Sequence, residues 1–132
     1  MREKSRMLNG ESYHAADPKL VWERDRAARI LHTYNKRTFH EMDRHNRLLR
    51  KLLHTEGNFW IKPPFHCDYG YNIYIGKNVM LNYGCVLLDV NPIVIGEDTL
   101  IGAGSVVTHD IEANTVAYGN PCWPQKDRRN SK

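Results

Sequence analysis

The chain has 132 residues, of which 41% are hydrophobic and 26% are charged, a balance that excludes a wholly disordered chain. No apolar run reaches the ~18 residues that a membrane span needs, and no apolar stretch follows the first charged residues, so we expect a cytoplasmic protein without a membrane partner. The three cysteines are odd in number and show no CxxC spacing, so neither a disulfide framework nor a zinc module is expected.

Residues 1–57 carry 13 basic and 8 acidic side chains, and residues 58–132 carry 6 and 7. The first part therefore supplies +5 and the second −1 of the total net charge of +4. A basic excess attracts nucleic acid, a membrane surface or a phosphorylated cofactor. Here acidic and basic residues alternate, as in residues 23–26, which is typical of a solvated helix face; nucleic-acid binders concentrate one sign on one face. We therefore expect no nucleic-acid partner, and a role in nucleic-acid binding is the least favoured function.

Residues 1–57 are predicted to form a helical segment. Asp17 before Pro18 is a typical helix start, because Asp caps the helix and the first helical position does not need the N–H that proline lacks. A capping box at residues 38–41 predicts a further helix that runs to Gly57. Together the two helices would form a hairpin with one apolar side.

From residue 58 the aliphatic positions follow a period of six. Two runs show this spacing, joined by a step of eight, at Ile75, Leu81, Leu87, Ile95, Ile101 and Val107. Six is neither the period of a strand nor that of a helix, and it is typical of a parallel β-helix, in which the chain turns a corner after each short strand. We expect residues 58–123 to form three to four coils, the helices to cover the open end of the prism, and residues 124–132 to form a disordered tail.

Several motifs lie outside the repeat's aliphatic positions. They are MLNGESY at 7–13, DPKL at 17–20, PPFHCDYGYNI at 63–73, LNYGC at 81–85, IGAGSVVTHDI at 101–111 and GNP at 119–121. Together they resemble the maltose/galactoside O-acetyltransferase family of hexapeptide-repeat proteins. The resemblance implies a mainly β fold, a left-handed parallel β-helix with an N-terminal α-helical hairpin. It also implies a homotrimer that transfers acetyl from acetyl-CoA to a hydroxyl of maltose, glucose or a galactoside, without a metal, at sites between neighbouring prisms.

The resemblance also implies roles for individual residues. Asn82 matches the asparagine beside the reacting acetyl group, where a donor stabilises the oxyanion, and Asp68 matches a position that, with Asn82, holds the acceptor. The positions that touch CoA in the last coil are Ala103, Thr108 and His109. Because His109 occupies a position that usually holds lysine, it is not expected to be the catalytic histidine.

The sequence departs from the family in two places. Trp123 follows Cys122 where the family often has an arginine, so one contact to a CoA phosphate is missing. The chain also passes directly from Gly96 to Glu97, where family members continue through further coils and a Thr-His-Pro loop. Because both sides of this junction read as equivalent repeat positions, we expect the prism to stay in phase across it.

The missing loop removes the family's general base, since no Thr-His-Pro or Gly-His-Pro occurs anywhere in the chain. His66 and His109 are the only candidates for a substitute, and for both a hydrogen-bonding or CoA-contacting role is favoured. His32, His45 and His54 have no acidic or cysteine partner at zinc-ligand spacing, and His40 adjoins Glu41, which the capping box explains, so no metal site is expected. Two functions follow: a sugar O-acetyltransferase with impaired activity, or a non-catalytic, shortened trimeric β-helix scaffold that at most binds CoA weakly.

Overall fold

A computed structural model describes residues 2–36 and 42–130, and for residues 42–46 and Asn130 it describes the backbone alone. Three described helices come first: α1 (Glu3–Leu8), α2 (Pro18–Asn35) and α3 (Met42–Leu52). The described strands are β1 (His54–Thr55), β2 (Phe59–Ile61), β3 (Phe65–Cys67), β4 (Ile73–Ile75), β5 (Val79–Leu81), β6 (Cys85–Leu87), β7 (Ile93–Ile95), β8 (Leu100–Ile101), β9 (Val106–Val107), β10 (Thr115–Tyr118) and β11 (Trp123–Asp127), and a 3₁₀ helix follows at Arg128–Asn130.

Helix α2 begins where the sequence predicts. The Asp17 carboxylate accepts the backbone N–H groups of Lys19 at 3.1 Å and Leu20 at 3.4 Å, which caps the helix ahead of Pro18. The predicted capping box at residues 38–41 lies outside the described residues. None of the described helices is both long and apolar enough to cross a membrane.

Helix α3 ends at Leu52, earlier than the predicted end at Gly57. The reason is that His54 and Thr55 already form β1, which pairs in parallel with Tyr74 and Ile75 of β4. Pairing with the first full coil supplies these two residues with sheet hydrogen bonds that a longer helix would forgo. The β-helix therefore starts at His54 rather than at residue 58.

The strands form a three-sided prism with parallel sheets on its faces. Face A is built from β1, β4 and β7, face B from β2, β5, β8 and β10 with β11 beside it, and face C from β3, β6 and β9. The register pairs each aliphatic position of the repeat with its equivalent one coil later, namely Ile75 with Ile95, Leu81 with Ile101 and Leu87 with Val107. The predicted parallel β-helix is confirmed, with about three turns.

The repeat's aliphatic side chains fill the interior of the prism. Ile75, Leu81 and Leu87 are buried, and so are their equivalents one coil later, whereas the residues between them on each strand point outward. Burial of these side chains is the main favourable term for a fold made of such short strands.

Both ends of the prism are covered. At the first coil, the Asn35 side chain donates to the carbonyl of Phe65 and accepts its N–H, both at 2.9 Å, and the Tyr34 hydroxyl donates to the carbonyl of Ile61. These side chains satisfy strand groups that would otherwise lack a partner. The prediction that the helices cover the open end is confirmed.

At the last coil, β11 runs antiparallel to β10. The expectation of a disordered tail over residues 124–132 is therefore wrong for Pro124–Asp127, which lie in this strand. The physical reason is the exposed edge of β10, because its unpaired backbone groups offer hydrogen bonds to any chain that folds back. The backbone N–H of Arg128 extends this cap by donating to the carbonyl of Asn114 at 2.7 Å.

The junction at Gly96 keeps the prism in phase. Ile75 pairs with Ile95 before the junction, and Met80 pairs with Leu100 after it, so the spacing between coils does not change. The N–H of Gly96 donates to the carbonyl of Ile111 at 2.8 Å, as the N–H of Gly76 does to Ile95 one coil below. The expectation of an in-phase junction is confirmed.

Candidate functional site

The residues implied in catalysis and binding lie on two different edges of the prism. Asn82 follows β5, and Ala103 follows β8 one coil later, so both lie on the edge where faces B and C meet, called here the B–C edge. Asp68 follows β3, and Thr108 and His109 follow β9, so these three lie on the edge where faces C and A meet, the C–A edge. Within one chain, face C separates the two groups.

On the B–C edge the side chain of Asn82 is fixed by its neighbour. Its Oδ1 accepts the backbone N–H of Tyr83 at 2.8 Å, while its own backbone N–H donates to the carbonyl of Ile101 at 3.0 Å. Because Oδ1 is engaged in this turn, the Nδ2 amide is the part of the half-buried side chain that can donate to another molecule.

Above Asn82 the next coil presents almost no side chain. A Cβ added at Gly104 would meet no heavy atom within 4 Å, and only the methyl group of Ala103 stands beside it. At Gly102 an added Cβ would lie 2.8 Å from the Cβ of Tyr118, which belongs to the coil above. We call this feature the edge notch: Asn82 and Tyr83 lie below it, residues 102–104 form its wall, and Tyr118 lies above it.

On the C–A edge Asp68 is held by a buried carboxylate. The backbone N–H of Asp68 donates to Oδ1 of Asp89 at 3.0 Å, and Asp89 is fully buried. The same carboxylate accepts three more backbone N–H groups, from Tyr69 at 2.9 Å, Gly70 at 2.7 Å and Asn72 at 3.3 Å. It therefore fixes the whole turn that carries Asp68.

Burial raises the pKa of both carboxyl groups. For Asp89 the desolvation outweighs the backbone N–H groups, which act in the opposite direction, and for Asp68 it outweighs the nearby Arg24 guanidinium. Arg24 is itself anchored, donating to the Tyr69 hydroxyl at 2.8 Å and to the carbonyl of Ala15 at 2.7 Å. The result is a carboxyl group at Asp68 with a fixed cation beside it.

Further along the same edge, Thr108 and His109 are joined. The Thr108 hydroxyl and Nδ1 of His109 are 2.7 Å apart, and the His109 ring stacks on Trp123 with 5.8 Å between ring centroids. Trp123, which stands where the family often has an arginine, thus contacts a residue predicted to bind CoA. Its exposed ring covers one face of His109.

The structure brings neither candidate base to Asn82. His66 points outward from the middle of face C on β3, and His109 lies on the C–A edge. Among the described residues, no carboxylate forms a hydrogen bond or ion pair with either imidazole that would orient it as a base. A substitute base within one chain is not supported.

Thiol and metal chemistry find little support in the described part of the chain. Burial raises the pKa of Cys85 to about 11, and it also raises the pKa values of Cys67 and Cys122, so these thiols are protonated at neutral pH and are poor nucleophiles. Within residues 2–36 and 42–130, no cluster of three or more His, Cys, Asp or Glu side chains is arranged to hold a metal ion.

Asp89 is the residue that sequence reasoning missed. The available signal was the step of eight between Leu87 and Ile95, because the two extra residues form a loop on the C–A edge. An acidic residue in such an insertion, next to a buried aliphatic position, is unlike the solvated charges elsewhere in the chain. Its role depends on the turn at residues 68–72, which lies one coil below it and is distant in sequence.

The comparisons with known proteins agree with this architecture. Residues 6–57 match the maltose acetyltransferase hexapeptide capping motif. Nodulation protein L of Rhizobium leguminosarum bv. viciae is 46% identical over 101 residues, which cover 76% of this chain and 53% of that protein. A putative acetyltransferase of Saccharomyces cerevisiae is 31% identical, with 88% of each chain covered.

Solved structures show the same fold. A maltose O-acetyltransferase from Clostridium difficile 630 superposes with a TM-score of 0.73 and 31% sequence identity, covering 96% of this chain and 97% of that one. A galactoside acetyltransferase in complex with coenzyme A has a TM-score of 0.60 and 22% identity, covering 97% of this chain and 92% of that one, and this likeness concerns the fold alone.

The relatives are longer than this chain. It spans about half the length of the two rhizobial nodulation L proteins, 53% and 55%. The alignment with the yeast protein occupies 172 positions, more than the 132 residues present here, so that relative carries residues without a counterpart. In the yeast alignment the positions without a counterpart lie within the matched region.

Proposed function

Because this chain belongs to the maltose and galactoside O-acetyltransferase family of hexapeptide-repeat proteins, we propose that it binds acetyl-CoA and transfers the acetyl group to a sugar hydroxyl at a reduced rate. One relative of the same fold is a maltose O-acetyltransferase and another is a galactoside acetyltransferase in complex with coenzyme A. The acceptors we propose to test are therefore maltose, glucose and a galactoside.

The edge notch is the observation that carries this proposal. Its wall at residues 102–104 carries only one methyl group, so an extended chain of amide groups can lie against it. The N–H groups of Gly102 and Gly104 already donate to the carbonyls of Ala117 and Tyr83, so the groups left for such a chain are the Ala103 amide and the Gly104 carbonyl. The pantetheine arm of CoA is such a chain. The sheet spacing separates Asn82 from Tyr118 by about 10 Å, two coil heights, which leaves room for it.

At the lower end of the edge notch, the Nδ2 amide of Asn82 supplies a donor for the thioester carbonyl. When a hydroxyl attacks that carbon, the carbonyl oxygen gains negative charge, and a donor already fixed in place stabilises it. The hydrogen bond from Tyr83 to Oδ1 provides this fixation at 2.8 Å. The C–S bond breaks as the carbonyl re-forms, and the departing sulfur takes up the proton that the hydroxyl oxygen loses, so that CoA is released as the thiol.

The proposed acceptor contact at Asp68 lies on the other edge of the prism. Since face C separates Asp68 from Asn82 in one chain, we propose that the two edges meet between neighbouring copies, in a homotrimer. A carboxyl group with the fixed Arg24 guanidinium nearby suits the hydroxyl groups of a sugar, which both donate and accept.

The expected defect is in proton transfer. A sugar hydroxyl is a poor nucleophile at neutral pH, and a positioned base contributes about 10²–10⁴-fold to such a reaction. This chain has no Thr-His-Pro loop, and among the described residues no histidine forms a hydrogen bond with Asn82. Orientation and the Asn82 donor would support the remaining rate.

The missing base also favours a second candidate, the non-catalytic scaffold. In that case the shortened trimeric β-helix would keep its packing and bind CoA weakly without turning over sugar. The two candidates share the fold and the CoA site, and they differ only in whether thiol is released from acetyl-CoA when a sugar is present.

The test uses the purified chain, CoA and acetyl-CoA. Thermal stabilisation by CoA reports binding, and release of thiol in the presence of maltose, glucose or a galactoside reports transfer. The matched variant is Asn82→Asp, which keeps an oxygen for the Tyr83 N–H but loses the Nδ2 donor. We expect CoA to stabilise the wild type, and sugar-dependent thiol release to fall about 10²-fold or more in the variant. Stabilisation without thiol release would support the scaffold, and absence of both would refute the proposal.

A further inference from the structure

The aromatic ring of Tyr83 stands beside the proposed acetyl site and has no role in the chemistry described above. We propose that the acceptor sugar packs against this ring, an inference that rests on the proposed function. The inference assigns a specificity-determining residue to the sugar side of the site.

Tyr83 is held firmly while its ring stays exposed. Its backbone N–H donates to Oδ1 of Asn82 at 2.8 Å, and its carbonyl accepts the N–H of Gly104 from the coil above, also at 2.8 Å. The residue nevertheless keeps 52% of its surface exposed. A ring on a fixed backbone can offer its surface to a ligand at little cost in conformational entropy.

The ring has one side occupied. The Lys62 ammonium, on the coil below, lies 4.9 Å from the centroid of the Tyr83 ring. This cation–π contact restrains the ring and covers part of one face, which leaves the remaining surface for a ligand. Above it, the space at Ala103 and Gly104 is where the pantetheine arm is proposed to lie, so the sugar would lie on the part of the ring that neither Lys62 nor this arm covers.

A pyranose suits such a surface. Its C–H groups form an apolar face that gains from burial against an aromatic ring, while its hydroxyl groups point outward from the rim. Because Tyr83 adjoins Asn82 in the sequence, a sugar on this ring would bring rim hydroxyl groups close to the acetyl group that Asn82 contacts. The tyrosine hydroxyl adds one polar group at the rim.

Two other exposed aromatic side chains lie on faces of the prism and not on the B–C edge. Tyr74 lies on face A, where its ring stacks on His54 with 4.4 Å between centroids. Trp60 lies on face B. Away from the B–C edge, Tyr74 is the most exposed of the described tyrosines, with 41% of its surface exposed. It therefore serves as the matched control.

The experiment measures sugar and CoA binding separately on the full chain. Maltose, glucose and methyl β-galactoside are titrated by saturation-transfer NMR, with and without CoA, against wild type, Tyr83→Phe, Tyr83→Ala and Tyr74→Ala. We expect Tyr83→Ala to weaken sugar binding about tenfold or more, because it removes the apolar surface that the sugar would bury. Tyr83→Phe should bind the sugars nearly as the wild type does, and Tyr74→Ala should change neither sugar nor CoA affinity. In Tyr83→Ala the loss of CoA affinity should be smaller than the loss of sugar affinity.

Three results would overturn the inference. They are sugar affinity unaffected by Tyr83→Ala, equal losses of sugar and CoA affinity in that variant, and no binding of any of the three sugars to the wild type. A shift of Tyr83→Ala towards monomer with sugar affinity intact would assign the ring to a subunit contact instead. Failure of the proposed function is separate, because it appears as missing thiol release or missing CoA binding while the sugar titration still responds to Tyr83.

Discussion

The backbone N–H of Asp68 donates to the carboxylate of Asp89 across 3.0 Å, from one coil of the prism to the next. Asp89 has no exposed surface and accepts four backbone N–H groups of a single turn. A charge this deeply buried is tolerated because each of its oxygens is satisfied. The proposed acceptor residue is thus positioned by a group that no substrate touches.

Replacing Asp89 with alanine should destabilise the fold. The substitution leaves three buried N–H groups and the partly buried N–H of Asp68 without their acceptor, and each buried group costs about 1–3 kcal/mol. We expect the free energy of unfolding to fall by about 3 kcal/mol or more, measured by urea denaturation. The matched control is Asp25→Ala, which removes an exposed carboxylate 2.7 Å from Arg29 and should cost about 0.5 kcal/mol or less. Equal effects of the two substitutions would contradict the role given to Asp89.

Titration of Asp89 should also make the free energy of unfolding depend on pH. Burial raises its pKa above the ordinary value of 3.8, so the folded chain binds this proton more tightly than the unfolded chain does. This group's contribution to stability therefore declines as the pH rises from 3.8 through the raised pKa of the folded state.

Asp89→Asn cannot ionise and should lack that decline. The difference in unfolding free energy between wild type and Asp89→Asn should accordingly be largest in acid and shrink as the pH rises through the same window. The raised pKa of Asp68 acts in the same direction in both proteins and largely cancels in the difference. Urea titrations of both proteins from pH 3.5 upward measure this difference in unfolding free energy. A difference that grows with pH would show that the backbone N–H groups affect the pKa of Asp89 more than its burial does.

The repeat made most of the fold predictable. Once Ile75, Leu81 and Leu87 are set in phase with the next run, the parallel register follows, since each aliphatic side chain can be buried only at the same height of its own face. The start of α2 was also predictable, because its signal is local: Asp17 and Pro18 act within the first turn of the helix.

Two boundaries were not predictable from local signals. The end of α3 depends on the pairing of His54 with Tyr74, and β11 depends on the free edge of β10, so both are decided by contacts distant in sequence. For the same reason, the candidate site could be predicted from the sequence only in part. Resemblance proposed Asn82 and Asp68, but their separation by face C and the turn around Asp89 emerge only from the coils in three dimensions.

The wall of the edge notch gives a prediction that leaves the fold untouched. Ala103 is exposed, so Ala103→Phe should change the free energy of unfolding by no more than about 0.5 kcal/mol. Its ring would occupy the space in which the pantetheine arm is proposed to lie, and the thermal stabilisation by CoA should be largely lost. Ala103→Ser, which adds one oxygen atom, should retain it. Full stabilisation of Ala103→Phe by CoA would place the cofactor elsewhere.

The last prediction concerns His109 and separates binding from proton transfer. Its Nδ1 lies 2.7 Å from the Thr108 hydroxyl and its ring stacks on Trp123. Because it lies on the C–A edge, its proposed contact is with CoA held in the edge notch of a neighbouring copy, and no carboxylate among the described residues orients its imidazole as a base. We expect His109→Ala to weaken CoA binding a few-fold while leaving turnover at saturating acetyl-CoA nearly unchanged. His66→Ala, on face C, should change neither quantity. If turnover disappears in His109→Ala while CoA still binds, the imidazole acts as the missing base, and it must then reach the Asn82 of a neighbouring copy, since within one chain face C lies between them.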